Sequence, residues 1–390
     1  MEKRYKFRIY PTQAQEAQIQ KNFGCCRFVY NYFLAKQIER RKLSKENSEY
    51  AGLHDTTKEL PRLKRTAGYE WLSEADSASL SYALCDLDNA FKKFFKNVKR
   101  AQAPGFPKFK SKKWQLKSYR CKNRPGRKAD HHSSIEVGKN QVKLPKLGWI
   151  KCAVSRAVEG RILSASVIQQ PNGKYFVSVY CTDVNHSALH KTNMVTGLHL
   201  GVKNLVTTSD GEQFANDRYL KKSQAKINRL RRQLSRKPSD SKRREKARKR
   251  LADAFDKVSC QRTDALHKLT TKLVRQYDVI CVRESQVSEM MRNRVFSKHL
   301  SDANLGEIIR QLSYKCQWYG KTLVKVNKLS PSVQICSGCG YKNTLLKPHH
   351  QEWNCPECGL CHKRGINAAV NVLNEGLRLL ESNNVIDCRE

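Results

Sequence analysis

The chain has 390 residues, with 75 Lys and Arg against 35 Asp and Glu, a formal net charge of +40. Such an excess repels itself on compaction unless a polyanion neutralises it, so nucleic acid or an anionic membrane is the expected partner. Yet 39% of the residues are hydrophobic, with 13 Phe, 15 Tyr and 5 Trp, which excludes a disordered basic tail.

The length predicts roughly two to four compact units. No apolar run of about 18 residues occurs, so no transmembrane helix is expected. The opening MEKRYKFR lacks the apolar stretch of a signal peptide, which predicts a cytosolic protein with no membrane partner. Fifteen cysteines, an odd count in a chain without a secretion signal, predict reduced thiols. Four of them have metal spacing; the other eleven, Cys25 and Cys26 included, are expected to pack as small buried hydrophobes.

Residues 3–10, KRYKFRIY, alternate basic and apolar side chains and predict a strand with one charged face. Pro11 and Thr12 open a helix carrying Ala14, Ile19 and Phe23, Gly24 punctuates it, and CCRFVYNYFLAKQIERRK continues as a second helix. Residues 43–75 are polar and mixed. From Ser77 to Lys99 the residues Leu80, Leu84, Leu87, Phe91, Phe94 and Phe95 recur at helical spacing, so residues 11–100 read as a helical bundle.

The texture changes at Pro104-Gly105-Phe106-Pro107. Residues 108–195 hold short alternating segments, and Asn172-Gly173 is a hairpin signal between two of them. An antiparallel β unit is expected, a barrel of the oligonucleotide-binding sort, joined by the first strand. VTGLHLG then reads as a buried strand, and VKNLVTTSDGEQF as a hairpin turning at Asp210-Gly211. Residues 221–250 carry 15 Lys and Arg against Asp240 and Glu245, a helical stretch too one-sided to be only a solvated face. YDVICV, EIIRQLSYKCQWYG and KTLVKV follow as strand, helix and strand, which indicates an α/β unit.

Cys336-Ser-Gly-Cys339 and Cys355-Pro-Glu-Cys358 are two knuckles separated by 15 residues, each able to offer two thiolates to one tetrahedral ion. Structural Zn²⁺ is expected. Four thiolates fill its shell, so Cys361, His362, His349 and His350 are read as non-ligands.

At this point the chain resembles the TnpB family, transposon-encoded RNA-guided nucleases related to type V CRISPR effectors. The residues that carry the resemblance run nearly end to end in the family's order: KFRIYPTQAQ with FGCCRFVYNYFLA, LDNAFKKFF before GFPKFKSKK, TGLHLGVKNLVTTSDG, YDVICVRESQVSEMMRN, QWYGKTLVKV, SPSVQICSGCG and NCPECGLCHKRGINAAVNVL. The resemblance implies an α/β multidomain fold. Residues 1–10 and 104–195 would form a β-barrel wedge domain, with a helical recognition bundle, 11–103, inserted in it. Residues 196–330 and 359–390 would form an RNase H-like (RuvC-like) nuclease domain, carrying a zinc ribbon at 331–358.

It also implies three carboxylates holding two Mg²⁺ ions, since that cation prefers hard oxygen ligands. In this chain the G-x-D-x-G pattern is Gly197-Leu198-His199-Leu200-Gly201, the strand that should close on Glu closes on Arg283, and R-D-x-N-A-A has Gly365 in place of Asp. Loss of one catalytic residue typically costs orders of magnitude, and three are replaced, so the resemblance implies vestigial positions, no catalytic Mg²⁺ and no enzyme activity. The intact knuckles, basic helices and FPKFKSKK motif argue against a decaying gene. The expectation is a protein like the nuclease-dead TnpB-like repressors called TldR. It would hold a guide RNA, bind target double-stranded DNA beside a short motif, and repress a promoter, as a monomer on one RNA in a bacterial cytoplasm, at the nucleoid. The alternatives are an RNA-guided endonuclease with a rearranged metal site, and a non-guided nucleic-acid-binding accessory protein of transposition.

By the same resemblance, the motif beside the target is read near Ser81, Tyr82 and Cys85 and from Lys117 to Arg120. Lys108, Lys110, Lys112 and Lys113 would touch phosphates, Arg8 and Tyr10 would face RNA, and Arg231, Arg232, Arg243 and Arg244 would meet the guide–target duplex.

Overall fold

The computed structural model describes residues 1–43, 51–100, 105–112, 117–124, 133–283, 300, 302–326, 333–347 and 350–387. Lys113 and His349 lie outside them. The chain divides into two compact units, Met1–Asn185 and His186–Glu390.

The first unit opens on strand β1, Lys3–Tyr10, whose Tyr5, Phe7 and Ile9 are buried while the residues between them face solvent. Helix α1, Gln13–Leu43, follows. Its start is a capping box: the Thr12 hydroxyl accepts the Gln15 amide, and the Gln15 side chain accepts the Thr12 amide. The expected break at Gly24 is absent, and α1 runs through it as one helix. A helical glycine costs only about 1 kcal/mol, and Ile19, Phe23, Cys25, Cys26 and Val29 all bury a side chain around it.

Helix α2, Leu53–Arg65, occupies part of the segment read as polar and mixed; it buries Thr56, Leu60 and Leu63 only. Helix α3, Ser77–Lys99, is capped by Asp76, which accepts the Ser79 amide, and it buries Leu80, Leu84, Leu87 and Phe91.

Six further strands complete this unit: β2 Lys117–Lys122, β3 Glu136–Val137, β4 Gln141–Leu144, β5 Gly148–Ala153, β6 Arg161–Gln169 and β7 Tyr175–Thr182. They form one sheet in the order β2-β6-β7-β1-β5-β4-β3, so β1 pairs centrally with strands far along the chain. A closed barrel was expected. Among the described residues the sheet is open, because β2 pairs only β6, and β3, two residues long, pairs only β4. The β6–β7 hairpin turns where expected, with Gly173 at a φ of 88°.

In the second unit β8 Val195–Leu200, β9 Asn204–Thr208, β10 Gln213–Ala215, β11 Val279–Arg283 and β12 Thr322–Val326 form a mixed sheet in the order β10-β9-β8-β11-β12. Strands β8, β11 and β12 are parallel; β9 and β10 run back from β8 as a meander turning at Gly211. Between β10 and β11 lie the basic helices α4, Tyr219–Ser235, and α5, Lys242–Gln276. Helix α6, Leu305–Tyr319, packs with α5 on one face of the sheet, through Leu266, Leu273, Ile308 and Leu312 against Leu198, Ile280 and Val282.

Helix α7, Arg364–Asp387, covers the other face. It packs there through Val372 and Leu373 against Cys281 and Val326, and comes closest at two glycines. A Cβ on Gly197 of β8 would stand 2.1 Å from the Ala369 carbonyl, and one on Gly376 of α7 would stand 2.3 Å from the Cys281 sulfur of β11. Strand ends are tied as well: Asp278 accepts the Thr192 and Asn193 amides at 2.8 and 2.7 Å and pairs with the buried Lys321.

Most of the remaining cysteines are buried as expected, but Cys260 and Cys361 are exposed, each standing on the solvent side of its element. No helix among the described residues is long and apolar enough to cross a membrane.

Two glycine substitutions separate packing from propensity. Gly197→Ala is expected to lower stability by about 3 kcal/mol, because the neighbour that must move is helix backbone. Gly24→Ala meets nothing within 4 Å and is expected to raise stability by about 0.5–1 kcal/mol. Thermal melting reads both; a neutral Gly197→Ala contradicts the contact.

Candidate metal and nucleic-acid sites

The four knuckle cysteines converge. Their sulfurs all lie within 4.8 Å of one another. Cys336 is 3.6 Å from Cys358, and Cys339 is 3.6 Å from Cys355. Thiolates about 2.3 Å from a tetrahedral zinc stand about 3.8 Å apart, so the donor set fits that ion. Gly340 and Gly359, just past each knuckle, take positive φ of 80° and 71°, where the chain doubles back.

His362, read as a non-ligand, sits at the edge of this cluster. Its Nε2 is 3.0 Å from the Cys336 sulfur, and its ring lies 4.7 Å from that of Trp353, its partner across the pairing of β13, Glu352–Asn354, with β14, Cys361–Lys363. The cluster is clamped to α7 by Asn367, which accepts the Ser337 amide at 2.9 Å and donates to the Ile335 carbonyl at 2.7 Å. Asn371 donates to the same carbonyl. Sequence reasoning missed both asparagines, since a clamp between a loop and a helix has no local pattern.

The three motif positions also come together. Parallel pairing sets Leu198 beside Val282, so His199 and Arg283 are the next residues on neighbouring strands. His199 pairs with Thr207 of β9. Gly365 opens α7 over that same threonine, 3.3 Å from its hydroxyl at the Cβ position. Burial, then the charges of Arg364 and Arg283, push the His199 pKa down to about 4, so its imidazole is neutral at physiological pH. Arg364 donates to the carbonyls of Lys347 and His350 at 2.6 and 3.4 Å, and burial lowers its pKa.

The residues expected at nucleic acid are spread over both units. Arg8 and Tyr10 are exposed on β1, with the guanidinium 4.9 Å from the Tyr10 ring. Lys108 and Lys112 are exposed. Lys110 is more enclosed: its Nζ lies 4.0 Å from the Tyr30 ring and 3.8 Å from Asp86, and burial lowers its pKa. Arg120 stacks on Tyr82 at 4.7 Å and reaches the same Asp86 at 3.6 Å. Lys117 lines the cleft that holds Tyr82, Asp86 and Arg120, while Ser81 turns its hydroxyl back to the Ser77 carbonyl at 3.2 Å. Asp86, which no motif flagged, thus holds two of the expected cations.

Arg231, Arg232 and Arg243 are exposed, and Arg231 lies 5.4 Å from the Phe255 ring. Arg244 instead donates to the Leu234 carbonyl at 3.1 Å and to the Lys237 carbonyl, closing the turn between α4 and α5.

Comparison with known proteins completes the picture. A family model described as "Probable transposase" matches residues 179–294, and one described as "Cas12f1-like, TNB domain" matches residues 306–372. A third, "Helix-turn-helix domain", matches residues 1–46, where the structure has a strand and the single helix α1. A relative from Streptomyces pristinaespiralis named "Putative RNA-guided DNA endonuclease" is 32% identical over 96% of this chain and 89% of its own. The Escherichia coli (strain K12) relative "Putative RNA-guided DNA endonuclease InsQ" is 30% identical over 96% of this chain and 92% of its own.

The chain belongs to the TnpB family. The solved structure entitled "Cryo-EM structure of the Cas12f1-sgRNA-target DNA complex" shares the fold of this TnpB-family chain with a TM-score of 0.59 at 12% identity, over 96% of this chain and 99% of that one.

The expectation of a chain that is no enzyme is corrected by these relatives, which match it nearly end to end and bear the name of an endonuclease. Glu284, the acid next to Arg283, lies outside the described residues.

Two measurements follow. Cys355→Ser is expected to take zinc from about one per chain to well below that, by metal analysis of the purified protein, and to lower the melting temperature; unchanged zinc content sinks the assignment. His199 is neutral when folded and takes its proton in the unfolded chain between 6.5 and about 4, so stability falls as pH drops through that window. His199→Gln is expected to flatten that fall in urea-midpoint profiles, whereas superimposable profiles contradict the buried neutral ring.

Proposed function

We propose that this TnpB-family protein binds DNA under the direction of a guide RNA. The observation that carries this reading is the match over 96% of the chain to relatives named as RNA-guided DNA endonucleases. Guide pairing with one strand of the duplex supplies sequence specificity, and the protein reads a short motif beside it. Over a promoter such a complex excludes RNA polymerase and represses transcription, an output that needs only residence on the duplex.

Within this reading, residues 1–10 and 104–195 act as the wedge domain and 11–103 as the recognition domain. Residues 196–330 and 359–390 act as the RuvC-like domain and 331–358 as a structural zinc ribbon. The sheet order β10-β9-β8-β11-β12, three antiparallel strands followed by two parallel ones, supports the RNase H-like assignment. The wedge and recognition cleft around Tyr82, Lys117 and Arg120 takes the target-adjacent motif. Lys108, Lys112 and Lys113 hold phosphates, and Arg231, Arg232 and Arg243 contact the guide–target duplex. His199, Arg283 and Gly365 mark the place where the family's metal ligands stand, and one chain is assigned to one RNA.

A second reading, RNA-guided strand scission, is favoured by the names the relatives bear. The two outputs separate in one experiment. The protein is purified from cells with its RNA, the RNA is sequenced, and the complex is footprinted on a supercoiled plasmid carrying the matching target, with Mg²⁺ and Mn²⁺ present. One discrete RNA species and guide-dependent protection are expected. Linear or nicked plasmid adds the second reading. A random RNA mixture, or protection independent of the guide, overturns the proposal in favour of a non-guided nucleic-acid-binding protein.

A further inference from the structure

His362 is buried against the cysteine cluster, and the four-thiolate motif gives it no role. It stands in the middle of β14, 5% exposed, directly opposite Trp353 in the β13–β14 pairing. Trp353 is buried as well, and its ring centroid lies 4.7 Å from that of the imidazole. This packing holds the His362 Nε2 3.0 Å from the sulfur of Cys336, the most buried of the four cysteines.

The distances separate two roles for such a ring. On a tetrahedral zinc, a nitrogen bound at about 2.0 Å and a sulfur bound at about 2.3 Å stand roughly 3.5 Å apart. At 3.0 Å the imidazole is closer to Cys336 than a fellow ligand would be, and within hydrogen-bond reach. The donor atoms that all lie within 4.8 Å of one another are the four sulfurs, and no nitrogen of His362 joins them.

Chemistry then sets the direction of the bond. Four thiolates outweigh one divalent cation, so the loaded site is anionic, and Cys336 is the part of it that water reaches least. A buried negative charge is costly unless hydrogen-bond donors meet it. The amides of Gly338 and Cys339 serve this sulfur from within its own knuckle. A metal-bound thiolate carries no proton, so the hydrogen between sulfur and ring belongs to the ring nitrogen.

We propose that His362 is a positioning residue of the metal site, donating its Nε2–H to the Cys336 thiolate. The bond ties the first knuckle to β14, the strand that runs directly into α7 at Arg364. It rests on the structural-zinc reading and adds the side chain outside the four ligands that keeps the ion in place.

The test uses the full chain with its metal. His362→Phe keeps a ring against Trp353 and removes the donor, whereas His362→Gln keeps an N–H. Titration against a chromogenic chelator is expected to show zinc affinity lowered about 10–100-fold in His362→Phe, and less in His362→Gln. Cobalt-loaded protein is expected to keep the absorption of a four-thiolate site in both variants. Equal zinc affinity in the folded phenylalanine variant and the unaltered chain overturns the proposal. Equal loss in both variants assigns the effect to packing and overturns it too, and a changed cobalt spectrum makes His362 a ligand instead of a donor.

Should the variants fail to fold, the unaltered chain decides. With nitrogen-labelled histidine and cadmium in place of zinc, the His362 Nε2 is expected to carry a proton and show no direct coupling to the metal. A bare or cadmium-coupled nitrogen overturns the proposal. A chain that purifies without zinc and takes none up overturns the zinc reading itself, a result distinct from all of these.

Discussion

Helix α7 comes closest to the sheet of the second unit at two glycines, and that contact fixes where the helix lies. At Gly197 and Gly376 there is no room for a Cβ, so the helix has little freedom to slide or roll on β8 and β11. Its first turn therefore sets Arg364 and Gly365 against Thr207 and beside His199. Asn367, two residues beyond Gly365, grips the first knuckle at Ile335 and Ser337. One helix thus locates the motif positions and the cysteine cluster together. The two glycines are packing residues first, whatever motif they also belong to.

The positive charge divides into two populations. Some cations are consumed by the fold. Lys315, buried between α5 and α6, donates to the His267 carbonyl and to the hydroxyls of Thr270 and Thr271 at 2.7–2.9 Å, and burial brings its pKa down to about 8. Lys321 holds Asp278, Arg244 closes the α4–α5 turn, and Lys110 pairs with Asp86. These groups have acceptors and owe nothing to a ligand. The exposed cations of β1, α4 and α5 outnumber the acids near them, and it is this second population that a polyanion must neutralise.

What the sequence made legible follows the range of each signal. The knuckles were readable because thiolates two residues apart chelate by local geometry. The Asn172-Gly173 and Asp210-Gly211 turns were readable because they need positive φ, and α3 because its apolar stripe is regular. Helix α2 was not, since only three of its residues reach the core, and Gly24 misled because burial on both sides outweighs a glycine's propensity. The convergence of His199, Arg283 and Gly365 depends on parallel pairing of strands some eighty residues apart, which only the family resemblance supplied. Asp86, Asn367 and the role of Arg244 escaped altogether, because each acts on partners from other elements.

Several contacts that hold the second unit lie outside the three motif positions. Gly197 and Gly376 hold α7, Asn367 holds the knuckle, and Tyr277 donates to Asp210 at 2.5 Å to tie the β9–β10 turn to the start of β11. None of these contacts passes through His199, Arg283 or Gly365. A neutral imidazole, a guanidinium and a glycine meet around Thr207 at the ends of β8 and β11 and the start of α7. The packing of the second unit is thus set by this frame, and the chemistry available at the strand ends by the few side chains that meet over Thr207.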